Sequence, residues 1–209
     1  MRSILNMVKR GPTEHYCLTE TERANVLDAC SGPEERVIIL LPLYVGLRAS
    51  EAIHLDARWI NDDGNLRIPY QMVCRCLECS RRNKNRGHWV PKTKAGIREL
   101  GIPKLVSSEL DPFLAQYPAG LNMSRFAFYR RVKKVLRHAG VVIPGLGGDT
   151  AFPHILRATC ATMLAAGGMN APQLCYHMGW GDIGMADRYI NRASMRATAP
   201  AAARSIFGG

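Results

Sequence analysis

Six side chains, ordered along the chain, are of the types needed to break and rejoin a phosphodiester without a metal. Attack on phosphorus builds negative charge on the non-bridging oxygens, and arginine forks match phosphate bidentately. The attacking oxygen can come from a tyrosine, whose reference pKa of about 10 calls for a base or a positive field. The departing oxygen needs a proton from a lysine or histidine. The sequence offers Arg48 in Gly46-Leu-Arg48-Ala-Ser-Glu51 and Lys92 in Pro91-Lys92-Thr-Lys94. Further on come His154 and Arg157 in His154-Ile-Leu-Arg157, Trp180 in Met178-Gly-Trp180, and Tyr189 in Asp187-Arg-Tyr189-Ile. His154 and Arg157 are three apart and share one face of a helix start. Glu51, three beyond Arg48, can brace it. Read singly, each residue has an ordinary alternative: Arg48 as a capping arginine, His154 as a helix N-terminal residue, Trp180 as core.

The elements that must position these residues are mostly helical. Thr19-Glu-Thr-Glu22 reads as a capping box, so a helix follows with Val26, Leu27 and Cys30 inward. Gly32 breaks it, and Pro33 suits the first turn of the next helix, which runs into the apolar stretch Val37–Leu41 and ends at Gly46. Arg48 to Leu55 reads as a short helix. Leu66–Ile68, His88–Val90 and Ile97–Ile102 read as strands, with Pro91–Arg98 as the turn of a hairpin. Helices are expected again over about 124–138, 155–166, 171–178 and 183–193. The fold class is therefore α+β, mainly α-helical with a small antiparallel sheet of about three strands. Residues 1–16 form a leader, 17–209 one catalytic domain, 74–90 a cysteine-bearing basic insert and 194–209 a C-terminal tail.

Charge points to a polyanion. The 209 residues carry a net charge of +11, and the pI is about 9.6. Seven Lys/Arg and no acid lie between Ser80 and Arg98, and six and no acid between Ser124 and His138. Two acid-free basic runs in separate elements favour a groove for nucleic acid over a merely solvated face. Lys94, Arg125, Arg130, Arg131, Lys133 and Lys134 are the candidate DNA contacts. No apolar run is long enough to span a membrane, and the N-terminus lacks the features of a signal peptide. The expected location is cytoplasmic, in the interior of a prokaryotic host, with cysteines mostly reduced.

Taken in order, Gly-Leu-Arg-x-x-Glu, Pro-Lys-Thr-Lys with Arg-x-x-x-x-Pro, His-x-Leu-Arg, Met-Gly-Trp and then Tyr resemble the tyrosine recombinase (phage-type integrase) family over residues 17–193. The nine-residue step from Trp180 to Tyr189 adds to the specificity of the match. The resemblance implies that Arg48 and Arg157 grip the scissile phosphate and that His154 assists proton transfer. It implies that Trp180, a donor only, binds a phosphate oxygen, and that Lys92 protonates the 5′ leaving oxygen, with Lys94 as the alternative. Tyr189 would be the nucleophile, leaving a 3′-phosphotyrosyl link, with no ATP, metal or other cofactor needed for catalysis. Members carry a helical DNA-clamping domain ahead of the catalytic one, and such a domain is expected to be absent here. Double-stranded DNA, further copies of the chain on that DNA, and an accessory DNA-binding protein are the expected partners. Two other readings stay open. One is a truncated, non-cleaving DNA-binding regulator. The other is a type IB topoisomerase, against which the short chain and integrase-like spacing count.

Cys74-x-Cys76-x-x-Cys79 stands apart from this chemistry. With His88 it could form a Cys3His site for a structural zinc. The alternative is three reduced surface thiols. The insert that carries it resembles that of archaeal and archaeal-virus integrases.

Overall fold

The computed structural model describes residues 16–76, 79–80, 87–142 and 153–194. The leader up to residue 15, the basic tract 81–86 and the tail from residue 195 lie outside the described residues. Thr19 caps α1 (Glu20–Asp28) as its sequence predicts: its hydroxyl accepts from the Glu22 amide while the Glu22 carboxylate accepts from the Thr19 amide. Pro33 opens α2 (Pro33–Leu40), where its missing N–H costs nothing. Val37 through Leu43 are all buried, so α2 is the central helix of the larger core. Pro42 cannot donate to a regular ladder, and the chain continues as a π-turn (Leu41–Val45) that Gly46 ends at φ +74°. A side chain on Gly46 would be strained at that φ and would also press on the Met178 and Cys160 sulfurs, 3.0 and 3.2 Å away. Arg48 then caps the short α3 (Ala49–Ala52).

The sheet differs from the expectation. There are four strands among the described residues, β1 (Leu66–Ile68), β2 (Met72–Val73), β3 (His88–Trp89) and β4 (Arg98–Leu100). They form two antiparallel pairs, β1 with β4 and β2 with β3. β3 and β4 do not pair with each other, so Pro91–Arg98 is not a hairpin turn. The pairs are nested along one ribbon, and the 90–97 side is longer than the 69–71 side it must match. The excess bulges out and is tightened by a 3-10 turn at Lys94–Gly96.

A helix that the sequence reading left out, α4 (Lys104–Gln116), buries Val106, Leu110, Phe113 and Leu114 against α2. Its inward positions 106, 110, 113 and 114 keep the helical period, but Pro112 inside it reads as a helix breaker in the sequence. Ser124 caps α5 (Arg125–His138), whose inner face is Phe128, Val132, Val135 and Leu136. α6 (His154–Ala166) packs on the π-turn. A second, smaller core joins α6, α7 (Ala171–Met178) and α8 (183–194) through Ala158, Ala161, Leu174, Met178, Ala186 and Tyr189. No helix among the described residues is long and apolar enough to cross a membrane.

Candidate active site

The site is built on the C-terminus of α7. The last carbonyls of a helix have no partner within it and carry the negative end of its dipole. Here three consecutive carbonyls each accept from a different arginine. His177 O takes Arg98 Nε at 2.7 Å, Met178 O takes Arg157 Nη2, and Gly179 O takes Arg48 Nη2 at 2.6 Å. Gly179 holds the left-handed conformation at φ +62°, and a Cβ there would lie 2.9 to 3.0 Å from Arg98 Nη1, Ala95 O and Arg48 Nη1. Only glycine lets the helix end close over the arginines. Arg157 also donates to Gly46 O, the carbonyl at the end of the π-turn.

One carboxylate sits among the three guanidiniums. Glu51 is 0% exposed, and it accepts from Arg48 Nη1 at 2.9 Å and from Arg98 Nη1 and Nη2 at 3.1 and 3.0 Å. Burial pushes its carboxyl up, but Arg98, Arg157 and Arg48 together outweigh that and hold it at about 2. Burial pulls the Arg157 guanidinium down to about 9, Arg48 and Arg98 push the same way and Glu51 opposes them, so it stays charged at neutral pH. Glu51 bonds Arg48 and Arg98 directly and Arg157 acts on its charge, so three guanidiniums face one carboxylate and the cluster keeps an excess of positive charge.

Arg48 and Arg157 line a cleft of about 390 Å³ together with Lys92, His154, Trp180 and Arg125. Five of the six residues singled out for catalysis therefore come together. Lys92, on the bulge of the ribbon, is the lysine that reaches the cleft lining, and Lys94 on the adjoining 3-10 turn is not part of it. His154 stays open to solvent at the N-terminus of α6, yet the surrounding protein and the charges of Arg157, Arg48 and Lys92 pull it below its ordinary value. Tyr189 is the exception. It is 4% exposed in the smaller core, stacked on Trp180 with ring centroids 5.2 Å apart, and does not line the cleft.

The basic residues of α5 divide. Arg131 and Lys134 are turned to α2, paired with Glu34 and Glu35. The distribution of acids along the chain hid these pairs, because both acids lie about a hundred residues earlier. Arg130 and Lys133 are exposed beside His154 and Pro153. Arg125 lines the cleft itself, and its Nε is buried with no hydrogen-bond partner among the described residues.

Two groups were not assigned a role by sequence reasoning. Arg98 is 3% exposed and acts as the strut between β4, Glu51 and α7. Its place in a short strand gives no sign that an arginine there is buried. His177 Nε2–H donates to Val45 O at 3.2 Å, and burial first of all lowers its pKa to about 4. The cysteine cluster also needs a correction. The histidine beside Cys74, Cys76 and Cys79 is His54 and not His88, and the thiols are half-buried or buried, not surface groups.

A sequence profile of the phage integrase family matches residues 17–196. No curated protein matches the chain in sequence. In structure the chain is similar to XerA recombinase, at 15% identity and a TM-score of 0.65, over 92% of this chain and 64% of that one. It is similar to the Tn1549 transposon integrase in complex with transposon right end DNA, at 21% identity and a TM-score of 0.63, over 91% and 68%. It is also similar to XerH site-specific recombinase bound to a palindromic difH substrate, at 16% identity and a TM-score of 0.61, over 88% and 52%. At these identities the likeness establishes the fold.

Removing one member of a buried pair leaves a charge uncompensated, at a cost of roughly 3–5 kcal/mol. Glu51→Gln should lose that much stability in a denaturant titration, and a loss below about 1 kcal/mol would show that Glu51 does not hold the arginines. Acid should act through His177 first. Its folded pKa lies below its unfolded value, so the unfolded chain binds a proton that the fold refuses. Stability should fall as pH drops from about 6.5 to about 4, by on the order of 3 kcal/mol in all. Below about 4.5, protonation of Glu51 should remove more. Flat stability from pH 7 to 4 would contradict this.

Proposed function

The chain belongs to the phage integrase family, and on that premise we propose that it is a site-specific DNA recombinase that breaks and rejoins strands through a 3′-phosphotyrosyl intermediate at Tyr189. The observation that carries this reading is the pairing of Arg48 and Arg157 on one cleft wall, each held from behind by backbone carbonyls, with Glu51 bonded to Arg48. A guanidinium has five N–H donors, so both retain donors for the non-bridging oxygens of a phosphate. Because their places are set before substrate arrives, little reorganisation is needed as charge develops. Arg125 adds a third cation with an unspent N–H. The N-terminus of α6 opens on the same cleft and favours an anion there.

In the proposed reaction the Tyr189 oxygen attacks phosphorus as its hydroxyl proton passes to the His154 imidazole, the bond to the 5′ oxygen breaks, and Lys92 supplies the proton that the 5′ oxygen takes up. His154 assists proton transfer at the phosphate, and the Trp180 indole N–H can only donate. The new phosphotyrosyl bond retains the energy of the old one. A 5′ hydroxyl attacking it reverses the step and rejoins the strand, which uses neither ATP nor a metal. DNA in duplex form and further copies of the chain assembled on it are the proposed partners.

The burial of Tyr189 favours a second reading, a chain that binds DNA without cutting it. Under the first reading α8 must shift so that Tyr189 leaves its stack with Trp180 and enters the cleft. A nicked duplex that traps the covalent product separates the two. The wild-type chain should give an adduct that survives denaturation, and Tyr189→Phe should bind the same duplex and give none. An adduct with the Phe variant would dismiss Tyr189 as nucleophile. Binding without any adduct by the wild type would favour the non-cutting reading.

A further inference from the structure

We propose that His54, Cys74, Cys76 and Cys79 bind one zinc ion, and that this ion pins the β-ribbon to α3. The four residues each offer one ligand atom, and these atoms lie within 4.8 Å of one another. Three thiolates and an imidazole are a donor set that favours zinc over the hard cations magnesium and calcium. A tetrahedral zinc with Zn–S near 2.3 Å and Zn–N near 2.0–2.1 Å places its ligand atoms roughly 3.5–3.8 Å apart. His54 Nε2 lies 3.5 Å from Cys76 Sγ and 3.4 Å from Cys79 Sγ, close to such an edge.

The surroundings are arranged as for a ligand set. His54 Nδ1 lies 2.7 Å from Ser50 O, which can only accept, so Nδ1 carries the hydrogen and Nε2 presents its lone pair to the sulfurs. The Cys76 amide donates to Cys74 Sγ at 3.5 Å and the Cys79 amide to Cys76 Sγ at 3.4 Å, which favours charged sulfur. Trp89 stacks on the His54 ring at 5.6 Å and meets Trp59 in a tilted contact at 4.9 Å, which keeps bulk water from that side. Among the described residues this is the one cluster of this kind.

The site explains where the ribbon is anchored. Cys74 follows β2 directly, and its amide donates to Gly87 O at 2.7 Å, closing the far end of the β2–β3 pair. Two-residue strands cannot hold a ribbon by themselves. A zinc bridging Cys74, Cys76 and Cys79 to His54 would fasten that end to the stretch 50–54, which also carries Glu51. The same ribbon bears Lys92 on its bulge, so the metal would help set the lysine against the arginine pair. That consequence rests on the proposed function. The metal content does not.

Chain purified under reducing conditions should carry one zinc per molecule by elemental analysis. Exchange for cobalt should give the ligand-field bands of a tetrahedral ion with thiolate charge transfer. His54→Gln and Cys79→Ser should lose the metal or bind it at least tenfold more weakly, and His88→Gln should keep one equivalent. If His54→Gln is not folded, the cobalt spectrum of the wild type still reports the ligand set. A folded, reduced wild-type chain that binds neither zinc nor cobalt would overturn the proposal, as would undiminished binding by folded His54→Gln.

Discussion

Burying charge is expensive unless partners are supplied, and this chain places three guanidiniums around one carboxylate inside its fold. The arrangement holds only because the α7 C-terminus offers three orphan carbonyls in a row, and because Gly46 and Gly179 turn there without a side chain in the way. Most other features follow from it. The π-turn brings Gly46 O to Arg157, the antiparallel ribbon brings Arg98 to Glu51, and the short α3 brings Arg48 beside both. The excess of positive charge in the cluster is a standing cost to stability, and an anion in the cleft would relieve it.

The two cores divide the labour. The larger one, around α2, fixes Arg48, Glu51 and Arg98. The smaller one, in which Ala158, Ala161 and Ala186 join Leu174 and Met178, carries Tyr189. Small side chains bury less apolar area, so α8 is held less firmly than α2. Tyr189, the proposed nucleophile, therefore sits on a less firmly held element. That agrees with a site completed only when DNA or a second chain engages α8.

The helices were legible where caps and periods were clean: Thr19 with Glu22, Pro33, Ser124, and the inward stripe of α5. α4 was not, because Pro112 reads as a helix breaker even though the inward stripe keeps its period. The strand positions were nearly readable but their pairing was not, since register depends on the length mismatch between the two sides of the ribbon. Arg48, Lys92, His154, Arg157 and Trp180 could be named from order and spacing, and they do share a cleft. What spacing could not convey was burial: that Arg98 is a strut, that Tyr189 is packed away, and that Arg131 and Lys134 are already paired. His54 was invisible for a related reason. It lies twenty residues before the first cysteine, and only the folded ribbon carries the thiols back to it.

The central claim is that Arg48 and Arg157 are held in place to neutralise charge on a phosphate. Replacing one non-bridging oxygen of the scissile phosphate by methyl removes that charge and leaves the bond to be broken intact. Folded Arg157→Ala should give no covalent adduct with an ordinary nicked duplex, yet should give one when the scissile position is a methylphosphonate. If folded Arg157→Ala is as inert on the neutral substrate as on the charged one, while the wild type cuts the ordinary duplex, the arginine is doing something other than charge neutralisation and the account fails.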